Sequence, residues 1–142
     1  MELIVHSSFS DAPGLRYCNL SEKSGEEFYH QLLNYAFKES IEKEENLSVV
    51  LDYTDGYAPS FLDESFGNLV YDFGLKMVKA HLIVISNEEP FWVNRIESIY
   101  NIWEERRKRG EEPIVTKEHG AWYRNVNNKI ESKVWIHPHL NS

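Results

Sequence analysis

The chain has 142 residues, 42% of them hydrophobic and 27% charged, which is one globular domain's worth with enough apolar material for a single core. Its formal net charge of -8 repels phosphate backbones, so nucleic acid is set aside as a partner. No apolar run approaches the roughly 20 residues that a bilayer demands, so no membrane role is expected. Cys18 is the only cysteine, which excludes an intramolecular disulfide; with no signal-peptide layout at the N-terminus, a reducing cytoplasm is expected.

In chain order, Leu3-Ile4-Val5 is short and β-branched and predicts a first strand. Asp11-Ala12-Pro13-Gly14 is a turn, and Arg16-Tyr17-Cys18 is expected to pair back as an edge strand. Ser24-Gly25-Glu26-Glu27 has the form of a capping box: the serine hydroxyl takes a first-turn amide and Glu27 reaches back. The helix it opens carries Phe28, Leu32, Leu33, Tyr35, Ala36 and Phe37 on one broad face, and the acidic run 42–45 is a solvated helix end. Residues 47–51 (Leu-Ser-Val-Val-Leu) lack useful alternation, as expected of a central strand covered on both faces. A loop follows from Asp52 to Pro59. Ser60 and Asp63 then repeat the capping logic, and Leu62, Phe66, Leu69, Phe73 and Met77 recur at steps of four, three, four and four. That is one narrow helical stripe, with Glu64 pointing outward and Ser65 and Asp63 on its flanks. Gly67 and Gly74 weaken the helix unless each permits close approach to a neighbouring element.

Residues 81–86 predict a second strong strand. Asn87-Glu88-Glu89-Pro90 starts a third helix whose buried stripe is Trp92, Ile96, Ile99 and Trp103. Arg106-Arg107-Lys108-Arg109 closes it before Gly110; cations at a helix C-terminus followed by glycine are ordinary end chemistry, preferred here over a nucleic-acid patch. Beyond Glu112 the pattern is less regular. Pro113–Thr116 and Val134–Ile136 could each be a strand, and Trp122 and Trp135 require cover from the domain or a partner. The reading is an α/β fold of order β-β-α-β-α-β-α: a mixed sheet with helices packed against it, formed by residues 1–110, and an irregular C-terminal extension over residues 111–142.

Four stretches carry a family resemblance: Pro13-Gly14-Leu15-Arg16-Tyr17, Ser24-Gly25-Glu26-Glu27-Phe28, Leu51-Asp52-Tyr53-Thr54-Asp55-Gly56-Tyr57 and Ser60-Phe61-Leu62-Asp63-Glu64-Ser65-Phe66-Gly67. Together they resemble the STAS-like domains of unknown function found in bacteria, over roughly residues 1 to 107. That family is similar to the STAS domains proper, which include the anti-sigma-factor antagonists. In those, a histidine-kinase-like ATPase partner phosphorylates the second serine of a Phe-Met-Asp-Ser-Ser-Gly type of sequence. The resemblance aligns Phe61-Leu62-Asp63 with its opening and makes Ser65 the candidate phosphoacceptor. Here Glu64 stands where the first serine would be and Phe66 separates Ser65 from Gly67. The resemblance therefore carries the binding edge further than the phosphoswitch.

The expected function is a non-enzymatic regulatory module that binds a protein partner through Ser60, Asp63, Glu64 and Ser65, with a histidine-kinase-like ATPase as the implied partner class. For Ser60 and Asp63 the plainer alternative is capping alone; for Ser65 it is a small residue that lets the helix sit close to the sheet, and that is the preferred reading. A homodimer is compatible with all of this. The rival function is a small-ligand sensor with its pocket beside the Asp52–Pro59 loop. Catalysis is disfavoured: Asp52, Asp55, Asp63 and Glu64 could pair as acid and base, but no histidine, cysteine or lysine is tied to them by motif. No cofactor or metal is expected; His137-Pro138-His139 lacks a Cys or acidic ligand at metal-site spacing.

Overall fold

The computed structural model describes residues 1–138. It runs β1 (Glu2–Ile4), a one-turn helix α1 (Val5–Ser8), α2 (Gly25–Phe28), a π-helical turn (Tyr29–Leu33), α3 (Asn34–Glu42), β2 (Leu47–Val50), α4 (Pro59–Phe73), α5 (Leu75–His81), β3 (Leu82–Ile85), α6 (Phe91–Arg109), β4 (Trp122–Val126) and β5 (Lys129–Lys133). Strands β1, β2 and β3 form a parallel sheet in that order, and one row of partners, Leu3, Val49 and Val84, crosses it. Strands β4 and β5 form a separate antiparallel hairpin. Among the described residues no helix is long and apolar enough to cross a membrane.

Helix α4 is the axis of the packing. Every residue from Glu64 to Phe73 is buried, because α6, α2, the π turn, α5 and β4 all pack on it. The stripe is buried at Leu62, Phe66, Leu69 and Phe73 but not at Met77, which is half-buried on α5 because α4 ends at Phe73 before Gly74; the opposite side of α4 is buried too. The expectation that Glu64 points outward fails for that reason. The apolar core continues through Phe28 and Phe61, whose rings stack 5.6 Å apart; each fully buried side chain of this size contributes roughly 1.5–3 kcal/mol. Gly67 has the close approach suspected of it: a Cβ there would lie 2.1 Å from the Trp103 indole, so α6 seats its buried tryptophan directly on the glycine. Trp92, Ile96, Ile99 and Trp103 form the buried face of α6, as read from the sequence.

Three expected strands are absent. Residues 16–18 are bend and turn, because their backbone serves the start of α2: the amides of Gly25 and Glu26 donate to the carbonyls of Leu15 and Arg16. Residues 113–116 and 134–136 are irregular. In their place the tail folds the β4–β5 hairpin, whose turn residues Asn127 and Asn128 both have positive φ (52° and 66°), the backbone that a tight two-residue hairpin demands and that asparagine tolerates. The tail packs on the domain: Trp122 is buried in the core, and Trp135 donates its indole N–H to the Trp122 carbonyl at 2.8 Å.

Candidate docking cleft at the start of helix α4

The chain leaves β2 through a loop that satisfies its own polar groups. The Asp52 carboxylate accepts from the Glu88 amide at 2.8 Å, the Glu88 carboxylate accepts from the Tyr53 amide at 2.6 Å, and the Tyr57 hydroxyl donates to the Leu51 carbonyl at 2.7 Å. Pro59 then opens α4 at its first position, where a missing N–H costs nothing. Neither Ser60 nor Asp63 caps the helix, which begins two residues earlier than the capping pattern implied. Ser60 is half-buried on the rim. The Asp63 carboxylate instead bridges two elements: one oxygen accepts from the Trp103 indole N–H at 3.1 Å, and the other accepts from Arg16.

Glu64 lies behind this rim. It is only 2% exposed, accepts from the Asn68 amide at 2.8 Å and faces Arg16 at 3.4 Å. Burial pushes its carboxyl up to about 7, against the pull of Asn68 and Arg16. Ser65 is fully buried, and its hydroxyl donates to the Phe61 carbonyl at 2.8 Å. The Ser65 hydroxyl is thus enclosed and bonded within its own helix. Of the two serines, Ser60 has the access to solvent.

Sequence reasoning missed the other wall. Two adjoining clefts of about 390 and 360 Å³ share Pro59, Arg95 and Ser98. Phe91, Arg95, Ser98 and Ile102 recur on α6 at steps of four, three and four, which puts them in one outward line. Phe91 is 56% and Ile102 65% exposed, and Arg95 makes no ion pair among the described residues. Reading α6 only for its buried stripe concealed this second one, although the period was there to find. Beside the Asp52–Pro59 loop, these clefts touch only Pro59. A cleft of about 420 Å³ lies instead at the far end of α4, around Gly74, Leu75 and Arg107.

A second polar cluster sits where the tail crosses the start of α2. Glu26 is 1% exposed and accepts from the Cys18 amide, the Thr116 amide and the Thr116 hydroxyl at 2.9, 2.9 and 2.6 Å, while His119 Nε2 lies 2.7 Å away. Burial works against its charge, yet His119, Thr116 and the two amides overcome it and hold the carboxyl down at about 2. Burial pushes the Cys18 thiol up to about 12. The sequence could not announce this grouping, because Thr116 and His119 lie in a segment without periodic pattern. Of the acidic residues considered for catalysis, Asp52 holds the Glu88 amide and Asp63 and Glu64 share Arg16, while the Asp55 amide donates to the Asp11 carbonyl. Of the tail histidine pair, His137 is exposed near Glu118, and His139 lies outside the described residues.

Residues 24–92 match the family model of a STAS-like domain of unknown function. The match begins at the capping serine of α2 and ends at Trp92, so it contains β2, α4, α5, β3 and the Ser60–Gly67 motif. No curated protein and no solved structure matches the chain.

Proposed function

We propose that this STAS-like domain is a non-enzymatic regulatory module that docks a protein partner in the cleft between the first turn of α4 and the outer line of α6. The observation that carries the reading is the pair of exposed apolar side chains, Phe91 and Ile102, with the unpaired Arg95 between them and Pro59, Ser60 and Asp63 opposite. Exposed apolar groups around a cation favour a partner segment with two apolar anchors and a carboxylate between them, since desolvated anchors supply affinity and the ion pair fixes register. The Ser60–Gly67 motif thus contributes its rim, Ser60 and Asp63, to docking; Glu64 and Ser65 set the shape from behind. A histidine-kinase-like ATPase is the partner class that the family resemblance implies.

The test is retention of a partner on the immobilised chain from its native extract, compared with Arg95→Glu/Ile102→Asp. Both positions are exposed, so the variant should melt within a degree or two of the parent. A protein kept by the parent and lost by the variant supports the cleft; one held equally by both overturns it. Concentration-dependent mass that the same variant abolishes would instead identify a second copy of the chain as the occupant.

A further inference from the structure

The loop before α2 and the tail after α6 bring together three metal-ligating groups from distant parts of the chain. The Cys18 thiol, the Glu26 carboxylate and the His119 imidazole offer ligand atoms that all lie within 4.8 Å of one another. We propose that Cys18, Glu26 and His119 form a tetrahedral site for a zinc-class divalent cation, with water from the adjoining cleft as fourth ligand.

The dimensions fit. Bond lengths of about 2.0–2.3 Å around a tetrahedral ion place its ligand atoms roughly 3.5 Å apart. His119 and Glu26 now share a proton at 2.7 Å, and an ion replacing that proton moves them apart by less than an ångström. Cys18 Sγ, which accepts from the Ser24 hydroxyl and lies 3.4 Å from the Glu27 carboxylate, would close by rotation about its Cα–Cβ bond. The donor set selects the metal: one sulfur, one nitrogen and one oxygen suit zinc or cobalt(II) and are wrong for the all-oxygen preferences of calcium and magnesium. Charge closes too. A thiolate and a carboxylate neutralise a dication while His119 binds through Nε2 as neutral imidazole, its ring proton moved to Nδ1, so the net change on loading is release of the thiol proton to solvent.

The surroundings hold the ligands in place. Glu26 is fixed by the amides of Cys18 and Thr116 and by the Thr116 hydroxyl, the kind of outer-shell support that orients a ligating carboxylate. The His119 ring stacks on His30 at 3.9 Å and 13°, and His30 sets its ring edge-on to Trp122 at 4.5 Å. His30 is not the fourth ligand, because stacked rings aim their nitrogen lone pairs along parallel planes that do not meet. The side chains of His119 and Glu26 are 5% and 1% exposed, so the ion would sit dry except toward the cleft of about 360 Å³ lined by Cys18, Glu27, Gln31 and Lys117. The opposing charges there are Lys23 and Lys117; Lys117 pairs with Glu27, and Glu22 lines the same cleft. A loaded site would fasten the tail to the start of α2, away from the docking cleft, so it stands or falls independently of the proposed docking.

The experiment uses the full chain, purified reduced and free of metal. Cobalt(II) should bind one equivalent per chain, with intense visible bands of tetrahedral coordination and a thiolate-to-cobalt charge-transfer band in the near ultraviolet. Because Cys18 is the only cysteine, that band can come from no other residue, and the parent protein alone decides the point. Zinc should displace cobalt and raise the melting temperature. Cys18→Ser should lose the charge-transfer band, His119→Gln should bind at least about tenfold more weakly, and His137→Ala should bind as the parent does. A pale octahedral spectrum, a melting temperature indifferent to zinc, or half an equivalent bound between two chains would overturn the site.

Discussion

Asp72, on the last turn of α4, and Arg124, on the hairpin strand β4, meet at 2.7 Å with side chains 2% and 14% exposed. The same carboxylate accepts from the Tyr29 hydroxyl, and Asn34 bonds both to that hydroxyl and to the Tyr123 backbone. One buried polar seam therefore ties the tail hairpin to the π turn and to the central helix. Glu64, Asn68 and Asp72 recur every four residues along α4, so the seam runs the length of a helix whose opposite face is apolar.

Removing either partner of this pair strands a charge inside the protein. Asp72→Ala and Arg124→Ala should each cost about 3–5 kcal/mol, whereas Asp72→Leu/Arg124→Met should regain much of the loss, because an apolar pair needs no solvation. Urea denaturation of the four proteins checks it. Additive losses in the Asp72→Ala/Arg124→Ala double variant would mean that the two side chains do not depend on each other.

The parts of the molecule governed by local period were legible in sequence: the α4 stripe, the α6 stripe, the Ser24 cap and the suspicion about Gly67. The capping serine is as expected, with its hydroxyl accepting from the Glu27 amide at 3.0 Å, but Glu27 does not reach back: its carboxylate accepts from Cys18 and pairs with Lys117. What failed depended on distant partners. Period alone said that Glu64 faced outward, because nothing local revealed that α2 and α6 would cover the other side of α4. Arg16–Cys18 has strand composition, yet its carbonyls and amides are drawn to the start of α2 and to Glu26. The hairpin carried a readable signal in Asn127-Asn128, but its strands are half-exposed and polar and lack clean alternation.

Gly67→Ala pits two effects against each other. Alanine favours the helix by about 1 kcal/mol, while its Cβ would overlap a large buried ring, an overpacking that costs typically about 1–3 kcal/mol. The overlap of 2.1 Å is too deep for small adjustments, so the variant should be less stable and should lose the Trp103–Asp63 hydrogen bond. Gly120→Ala, with open space around its Cβ, should stay within about half a kcal/mol. Denaturation midpoints and Trp103 fluorescence measure both; a Gly67→Ala variant more stable than the parent would show that α6 does not sit there.

Stability should pass through a maximum near pH 5, from opposing carboxyls. Glu26 is held down at about 2, so its stabilisation is present above the unfolded value of about 4.5 and is lost as pH falls from there toward 2. Glu64 and Asp72 are pushed up to about 7 and about 6, chiefly by burial, so the folded state binds the extra protons and stability falls as pH rises from about 4.5 through those values. Glu64→Gln should flatten the neutral limb and Glu26→Gln the acid limb. Urea midpoints at pH about 3, 5 and 8 would expose the error if the Glu64→Gln curve simply paralleled the parent's.

Ser65 and Ser60 divide the question of a phosphoswitch. Ser65→Asp places a carboxylate where the hydroxyl is fully buried and donates to the Phe61 carbonyl; the loss should exceed about 3 kcal/mol. Ser65→Ala removes one hydrogen bond and leaves that carbonyl its helical partner, so about 1 kcal/mol is expected. Glu64→Lys belongs with the severe group, since it sets a buried cation against the half-buried Arg16 instead of altering an exposed edge. Ser60→Asp, on the rim in the first turn of α4, adds a negative charge at the positive end of a helix dipole and should be neutral or slightly stabilising. Thermal melts of the four variants rank them directly. A Ser65→Asp protein as stable as its parent would mean that this helix tolerates a charge behind the rim, and Ser65 would return as the phosphoacceptor in place of a packing residue.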